Sequence, residues 1–140
     1  MSGVFVDTGG WIALMVRDDR YYRPATLYYR ELSTSRTPLW SSNYVLSETY
    51  TRLRYDAGLQ FAKAFHVIVE EARAARRLQI EWVTPEFDQE AWRVFSEHDD
   101  QSFSFVDCTS FVIARRLRAD AIFGFDRSFR TMGFMLAPVT

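Results

Sequence analysis

Three aspartates occupy positions where a carboxylate could do chemistry. Asp7 comes directly after the short apolar run Val4–Val6, and Asp126 comes directly after the run Ala121–Phe125. Such runs are typical of buried strands, so we expect both carboxylates to project from the end of a strand. Asp107 lies inside a strongly apolar helical stretch. A carboxylate in that setting needs a partner, because burying an unpaired charge is costly.

Each of these residues also has a purely structural interpretation. Aspartates commonly begin loops and cap helices, which would account for Asp7 and Asp126. Ser104 stands three residues before Asp107, so the two could form the reciprocal cap of a helix N-terminus. The structural and chemical interpretations are compatible, because a carboxylate at a helix N-terminus can also hold a metal ion.

Carboxylates grouped without histidine or cysteine favour a hard cation. Mg²⁺ and Mn²⁺ prefer oxygen ligands, and clustered acids repel one another unless a cation neutralises them. A cation held in this way can activate a water and stabilise the charge on a phosphodiester. The single cysteine, Cys108, excludes an internal disulfide and a cysteine-based zinc site, and we expect it to be an inert core thiol. His66 and His98 are isolated, so we expect both to be structural or exposed.

The alternation of apolar runs and amphipathic stretches predicts an α/β fold with a mainly parallel sheet. Ligands of such folds bind beyond the carboxyl ends of the strands, near a switch in strand order. Strands are predicted over residues 4–6, 37–41, 78–83 and 121–125, with a short fifth over 134–136. Helices are predicted over about 10–17, 21–32, 59–77 and 85–98, from a cap at Ser42 or Asn43 to Arg54, and from Ser104 to about Arg118.

The bulk composition fits one globular domain over residues 1–140. The net charge of −1 carries no nucleic-acid signature, so any binding to nucleic acid depends on a local basic patch. Lys63 is the only lysine among 17 basic residues. Arginine suits bidentate phosphate contacts, although genomic base composition also drives such a bias. The chain has no signal-peptide pattern and no apolar run near the roughly 20 residues that span a bilayer, so we expect a soluble, cytoplasmic protein.

The order of these acids resembles the PIN-domain family, and within it the VapC-type toxins of bacterial toxin–antitoxin pairs. Val4–Thr8 resembles the family's strand that ends in Asp-Thr or Asp-Ser, and Ser104–Cys108 resembles its Ser-x-x-Asp signature. Asp126–Phe129, followed by Gly133-Phe134, resembles its closing Asp-x-x-Phe pattern. The resemblance covers nearly the whole chain.

The resemblance also adds a fourth acid, Glu48, where the family keeps a glutamate on its third helix. From its helical position alone, Glu48 points away from the face formed by Leu46, Tyr50 and Leu53. Arg52 follows four residues later, which is the spacing of an ordinary exposed ion pair. The functional interpretation of Glu48 therefore depends on the resemblance.

The resemblance implies a three-layer α/β/α fold with a central, mainly parallel sheet of four to five strands. It implies cleavage of structured RNA dependent on Mg²⁺ or Mn²⁺, a homodimer, and inhibition by a cognate VapB-type antitoxin. Asp100 is a possible extra acid, although a loop residue is the simpler interpretation. The implied catalytic and metal-binding residues are Asp7, Glu48, Asp107 and Asp126, with Thr8 and Ser104 in support.

Other functions fit less well or stay open. A haloacid-dehalogenase-like phosphatase needs a second aspartate at position 9, which is glycine, and a phospho-receiver domain needs a lysine where this chain has none. A PIN-like binding module with little catalysis and a nuclease of single-stranded DNA remain alternatives. Aromatic residues at Trp11, Trp40 and Tyr21–Tyr29 could line a groove for an antitoxin, with an antitoxin arginine against the acids. They could equally pack in the core or in a dimer interface.

Overall fold

The computed structural model describes residues 3–140 and shows a five-stranded parallel sheet with the order β3-β2-β1-β4-β5. The strands are β1 (Val4–Val6), β2 (Leu39–Ser42), β3 (Leu78–Glu81), β4 (Ala121–Phe123) and β5 (Leu136–Ala137). All three residues of β1 are buried, as expected for the central strand of a sheet that is covered on both faces.

Seven helices connect and cover these strands in the described part of the chain. They are α1 (Thr8–Met15), α2 (Tyr22–Thr34), α3 (Asn43–Asp56), α4 (Leu59–Ala74), α5 (Pro85–Glu97), α6 (Phe105–Leu117) and α7 (Ser128–Thr131). The chain moves from β1 to β3 along one direction of the sheet and then returns to β4 on the other side of β1. Because parallel connections are right-handed, this reversal distributes the helices over both faces. The predicted α/β/α architecture is confirmed.

The strand order switches between β1 and β4, which are neighbours in space but far apart in sequence. Their carboxyl ends therefore meet at one edge of the sheet, next to the N-terminus of α1. This is the position where α/β proteins bind ligands. The sheet thus brings the residues after Val6 and the residues after Phe123 to the same place.

Several predicted boundaries were wrong by a few residues. The predicted strand 121–125 ends at Phe123, because its central partner β1 ends at Val6, which is paired with Phe123. The helix predicted to begin near Gly10 begins at Thr8, and its last residue is Met15. The helix predicted over 59–77 ends at Ala74, since Arg76 takes a left-handed backbone conformation that closes the helix. Ser42, not Asn43, caps α3 by accepting a hydrogen bond from the Val45 backbone N–H.

Two adjacent glycines at the start of α1 meet different surroundings. A Cβ on Gly10 would lie 2.5 Å from the carbonyl oxygen of Phe123, a contact that real Cβ atoms do not make. A Cβ on Gly9 would meet nothing closer than the Phe125 backbone nitrogen at 3.8 Å. Gly10 therefore allows α1 to pack directly on the end of β4, whereas Gly9 has room for a side chain.

We expect the Gly10→Ala substitution to lower the free energy of unfolding by about 1–3 kcal/mol, because the helix or the strand must move apart. Gly9→Ala is the matched control. It should leave stability unchanged or raise it slightly, since alanine favours helix over glycine by about 0.5–1 kcal/mol. Urea unfolding of the two variants measures the difference, and equal midpoints would contradict the close approach of α1 to β4.

Candidate active site

Asp7 is the most buried of the acidic residues at the carboxyl edge of the sheet, with 5% of its surface exposed. It directly follows β1 and occupies the N-cap position of α1, but its side chain makes no capping hydrogen bond. Burial raises the pKa of Asp7 to about 7, and the negative charges of Asp107, Asp126 and Glu48 add to that shift. The carboxyl is thus held in a site where its negative charge is costly.

Glu48 is brought to the same site by Thr8. The Thr8 hydroxyl donates a hydrogen bond of 2.6 Å to a carboxylate oxygen of Glu48, across 40 residues of sequence. The buried face of α3 consists of Val45, Thr49 and Leu53. Glu48 lies beside this face and is half-buried. Leu46 and Tyr50 of the predicted face are only partly buried against the core, so the buried face is centred part of a helical turn away from the predicted one.

The exposed ion pair considered for Glu48 does not form. Within residues 3–140, the ion pairs are Arg73–Glu70 and Arg116–Glu90, and neither involves Arg52. Glu48 is instead engaged by the Thr8 hydroxyl. Thr8 thus contacts Glu48 directly, and its supporting role in the site stays a prediction.

Asp107 both caps a helix and faces the other acids. Its backbone N–H donates to the Ser104 hydroxyl at 3.0 Å, and its carboxylate accepts from the Ser104 backbone N–H at 3.0 Å. Burial raises the pKa of Asp107, as do the charges of Asp126 and Glu48, whereas the hydrogen bonds from Ser104 oppose the shift. Ser104 thus positions Asp107, and only one of its two carboxylate oxygens is used in the cap.

Asp126 lies at the exposed side of the group. It stands three residues beyond the end of β4, not directly after the strand as predicted. One of its carboxylate oxygens accepts a 2.9 Å hydrogen bond from the Ser128 backbone N–H, which fixes the turn into α7. Its charge still acts on both Asp7 and Asp107. Asp126 therefore remains within the electrostatic reach of the site.

Asp100, Cys108 and the two histidines lie outside this group. Asp100 sits in an exposed turn beside Gln101, and it is not among the charges that shift Asp7 or Asp107. Cys108 is fully buried, and burial raises the pKa of its thiol to about 11, so the thiol is inert at neutral pH. His66 contacts the Tyr50 hydroxyl and His98 contacts the Val94 carbonyl.

The donor set suits a hard divalent cation. All four side chains offer carboxylate oxygens, and no nitrogen or sulfur ligand is among them, which matches the preference of Mg²⁺ and Mn²⁺. Within residues 3–140, no three acidic, histidine or cysteine side chains are placed so that they could hold a metal ion by themselves, so the acids form an open arrangement. An open arrangement is compatible with Mg²⁺, which keeps several of its waters and uses one or two carboxylates.

Sequence reasoning missed two features around the acids. A Cβ on Gly124 would lie 3.1 Å from the Cβ of Asp7, so this glycine leaves space for the buried carboxyl. Tyr21 stacks on Phe125, with 4.2 Å between ring centroids, and thereby fixes the segment that leads to Asp126. Gly124, which lies inside the predicted strand 121–125, was a usable signal. The stacking pair was not, because it depends on where α2 packs.

Of the two interpretations left open for Trp11, the structure supports a place in the core and not in a surface groove. Only 2% of it is exposed, and its ring packs edge-on against Phe65 at 5.3 Å. Its indole N–H donates to the Ser41 hydroxyl, which in turn donates to the Val6 carbonyl. Trp11 therefore ties α1, β1 and β2 together beneath the site, which is the core role considered as its alternative.

A parallel sheet with acids at its switch point is the arrangement expected for a PIN-domain nuclease, and the chain belongs to the PIN-domain family. The PIN domain matches residues 4–135. Within the family the chain is a VapC-like ribonuclease. PIN-domain nucleases are in general metal-dependent, and VapC-type members act on RNA and are paired with an antitoxin. No helix within residues 3–140 has the length and apolar character needed to cross a membrane.

The similarity to VapC20 covers nearly the full length of both chains. The 23S rRNA-specific endonuclease VapC20 of Mycobacterium tuberculosis, from strains CDC 1551 / Oshkosh and ATCC 25618 / H37Rv, is 34% identical over 133 residues, or 94% of this chain and 95% of that protein. The crystal structure of M. tuberculosis VapC20, a sarcin-ricin loop cleaving toxin, matches with a TM-score of 0.83 and 32% identity. That match covers 96% of this chain and 98% of the VapC20 chain.

The raised pKa of Asp7 predicts an unusual dependence of stability on pH in the metal-free protein. The folded protein holds the Asp7 proton up to about pH 7, whereas the unfolded chain releases it near its ordinary pKa of 3.8. The stabilising contribution is therefore complete below about pH 4 and is lost as the pH rises through 7. In EDTA, we expect Asp7→Asn to have a higher free energy of unfolding than the wild type at pH 8. The advantage of the variant should be larger at pH 8 than at pH 4 by up to about 4 kcal/mol.

Urea unfolding at pH 4, 6 and 8 measures this difference, with the exposed Asp100→Asn as the control for loss of a charge. Asp100→Asn should follow the wild-type pH dependence. Parallel curves for the wild type and Asp7→Asn over the whole range would show that Asp7 is not held in a buried, acidic environment.

Proposed function

We propose that the protein cuts a phosphodiester bond in a structured RNA loop, and that Asp7, Glu48, Asp107 and Asp126 hold the Mg²⁺ or Mn²⁺ ion used in that reaction. The observation that carries the proposal is the burial of Asp7 beside three further carboxylates, which raises its pKa to about 7. A cluster of this kind is unfavourable without a cation. A bound divalent ion would neutralise the acids, lower the pKa of a water and offset the charge of the phosphodiester.

The protein's own residues set the geometry of that site. Asp7, which is buried, and Asp107, which is half-buried, form its floor; Asp7 directly precedes α1, and Asp107 is oriented by the capping box of α6. Thr8 holds Glu48 by its hydroxyl, and Ser104 holds Asp107 by its cap. Asp126 is exposed, which suits a residue at the mouth of the site where the RNA enters. The acids are therefore positioned before substrate arrives.

The RNA that we propose as substrate is the sarcin-ricin loop of 23S rRNA. The support is the likeness to VapC20 over almost the full length of both chains. A loop substrate also suits an open site at a sheet edge, because unpaired nucleotides can expose their backbone to it. Since ribosomal RNA lies in the cytoplasm, we propose that the protein acts there.

We also propose that the protein forms a homodimer and is inhibited by a VapB-type antitoxin. Large apolar side chains are exposed on two helices, including Leu59, Val67 and Ile68 on α4 and Trp92 and Phe95 on α5. Exposed apolar groups of this size commonly mark protein interfaces. An arginine from an antitoxin could occupy the acidic site by pairing with its carboxylates.

The direct test is cleavage of a synthetic sarcin-ricin loop hairpin with Mg²⁺ or Mn²⁺. We expect Asp7→Asn and Asp107→Asn to lose about 100-fold or more in kcat, because an amide removes a charged oxygen ligand. Asp100→Asn, a change of the same kind outside the site, should cleave at the wild-type rate. Gel analysis of the end-labelled RNA measures the rate, and a DNA hairpin of the same sequence tests the choice of nucleic acid.

Cleavage that persists in EDTA, or equal cleavage by wild type and Asp7→Asn, would contradict the metal-dependent mechanism. Faster cleavage of the DNA hairpin than of the RNA would contradict the proposed substrate.

A second test isolates the role of Thr8. Thr8→Val removes the hydroxyl that holds Glu48 and keeps a similar volume, so we expect a 10–100-fold loss of activity, which is about the range for residues that orient metal ligands. Thr8→Ser keeps the hydroxyl and should retain most of the activity. Isothermal titration of Mn²⁺ into both variants gives a readout besides catalysis. Equal affinity and equal activity of the two variants would contradict a positioning role for Thr8.

A further inference from the structure

Within residues 3–140, every non-glycine residue with a positive φ is an arginine. Arg36, Arg76 and Arg118 have φ values of 55°, 58° and 54°. This left-handed conformation favours glycine, which the chain does use at Gly58 and Gly133. Each arginine closes one helix, namely α2, α4 and α6, and precedes β2, β3 and β4 in that order. Because the strands are parallel, all three lie at the sheet edge opposite the acids.

Two of these arginines, Arg36 and Arg76, line a pocket together with Arg77. The pocket is a cavity of about 490 Å³ at the start of the neighbouring strands β2 and β3. Its other polar side chains are Ser33 and Thr37, and no acidic side chain lines it. The Arg77 guanidinium donates a 2.6 Å hydrogen bond to the Ser33 hydroxyl, which orients the guanidinium. We call this cavity the arginine pocket.

The simplest structural role for these arginines is to offset the dipoles of the helices that end at the pocket. Each helix C-terminus carries about half a negative charge. The ends of α2 and α4 thus supply about one negative charge against three guanidinium groups, so about two positive charges remain. Neither ion pair in the described part of the chain uses Arg36, Arg76 or Arg77. Dipole compensation therefore accounts for only part of the charge.

We propose that the arginine pocket binds a backbone phosphate of the RNA at a point away from the bond that is cut. The inference rests on the proposed function in one respect, namely that the natural polyanion is RNA. Guanidinium groups match phosphate oxygens with paired hydrogen bonds, and serine and threonine hydroxyls can add further donors. The pocket thus has the chemistry of a phosphate site.

The overall charge of the protein supports the need for such a contact. The net charge is −1, and the catalytic edge carries a cluster of acids that repels a phosphate backbone until a cation is bound. Attraction for RNA must therefore come from a local basic surface. The two edges lie at opposite ends of strands that are up to four residues, about 13 Å, long, so only an RNA longer than a minimal loop could contact both.

The test exploits the left-handed backbone. Arg36→Gly and Arg76→Gly each remove a guanidinium and also remove the steric cost of a left-handed backbone conformation. The double variant should therefore melt at or above the wild-type temperature. Arg118→Gly is the matched control, because it removes an arginine of the same conformation that does not line this pocket. The probe is a labelled sarcin-ricin loop hairpin with an extended stem, titrated by fluorescence anisotropy in EDTA, where no cleavage occurs.

We expect the double variant to bind the RNA about tenfold more weakly than Arg118→Gly. Its slope of log affinity against log salt should be smaller by about 1–2, the change for one or two lost phosphate contacts. Wild-type affinity and salt slope in the double variant would overturn the proposal. The proposal would also be overturned if the double variant bound the RNA like the wild type but no longer bound an acidic polyglutamate peptide. That outcome would assign the pocket to a protein partner.

The outcome is independent of the catalytic proposal. Binding is measured without a metal ion and without cleavage, so an inactive protein whose affinity depends on Arg36 and Arg76 would contradict the proposed function and leave the arginine pocket intact. A protein that cleaves the RNA but whose RNA affinity is unchanged by loss of both arginines would contradict only the proposed phosphate site in the arginine pocket.

Discussion

The structure is organised around a carboxyl group that is buried where its charge is unfavourable. Asp7 follows the central strand, is almost fully buried, and lies within reach of three other negative charges. Burial and repulsion both favour its protonated form, which is why its pKa is close to neutrality. A divalent cation reverses this balance, because it makes the ionised form the favourable one. The same cluster that weakens the metal-free fold at high pH is therefore the one that we propose binds the metal ion.

Three of the four acids are each held by a separate hydrogen bond, which explains how groups that repel one another remain together. The Ser104 cap holds Asp107, the Thr8 hydroxyl holds Glu48, and the turn into α7 holds Asp126. In each case one carboxylate oxygen is bound by an N–H or O–H donor. Such hydrogen bonds stabilise the charged form and leave other lone pairs available. The strand order then brings these hydrogen-bonded acids to one edge of the sheet.

The two edges of the sheet carry opposite charges for a topological reason. Strands of a parallel sheet all end at one edge and all begin at the other. Acids that follow strands therefore gather at the edge where the strands end, and arginines that close helices gather at the opposite edge. A protein with almost no net charge can in this way present an acidic site for a cation and a separate basic pocket for a polyanion. In the net charge, which is all that composition gives, the charges of these two surfaces nearly cancel.

The sequence by itself determined the features that depend on neighbouring residues. The apolar runs predicted four strands, a short fifth and the parallel fold, and the spacing of Ser104 and Asp107 predicted the capping arrangement that the structure contains. The positions of Asp7 and Asp107 followed from local patterns in the same way. Local signals are readable because the atoms that interact lie within one or two turns of each other.

Only the tertiary structure decided which distant residues meet. Glu48 looked like an exposed helix residue beside Arg52 until the packing of α3 against α1 placed it next to Thr8, 40 residues away. The burial of Trp11 and the arginine pocket likewise depend on strand order and helix packing, which periodicity does not encode. The pKa of Asp7 has the same origin, because desolvation and repulsion are properties of the assembled site and not of the residues in sequence.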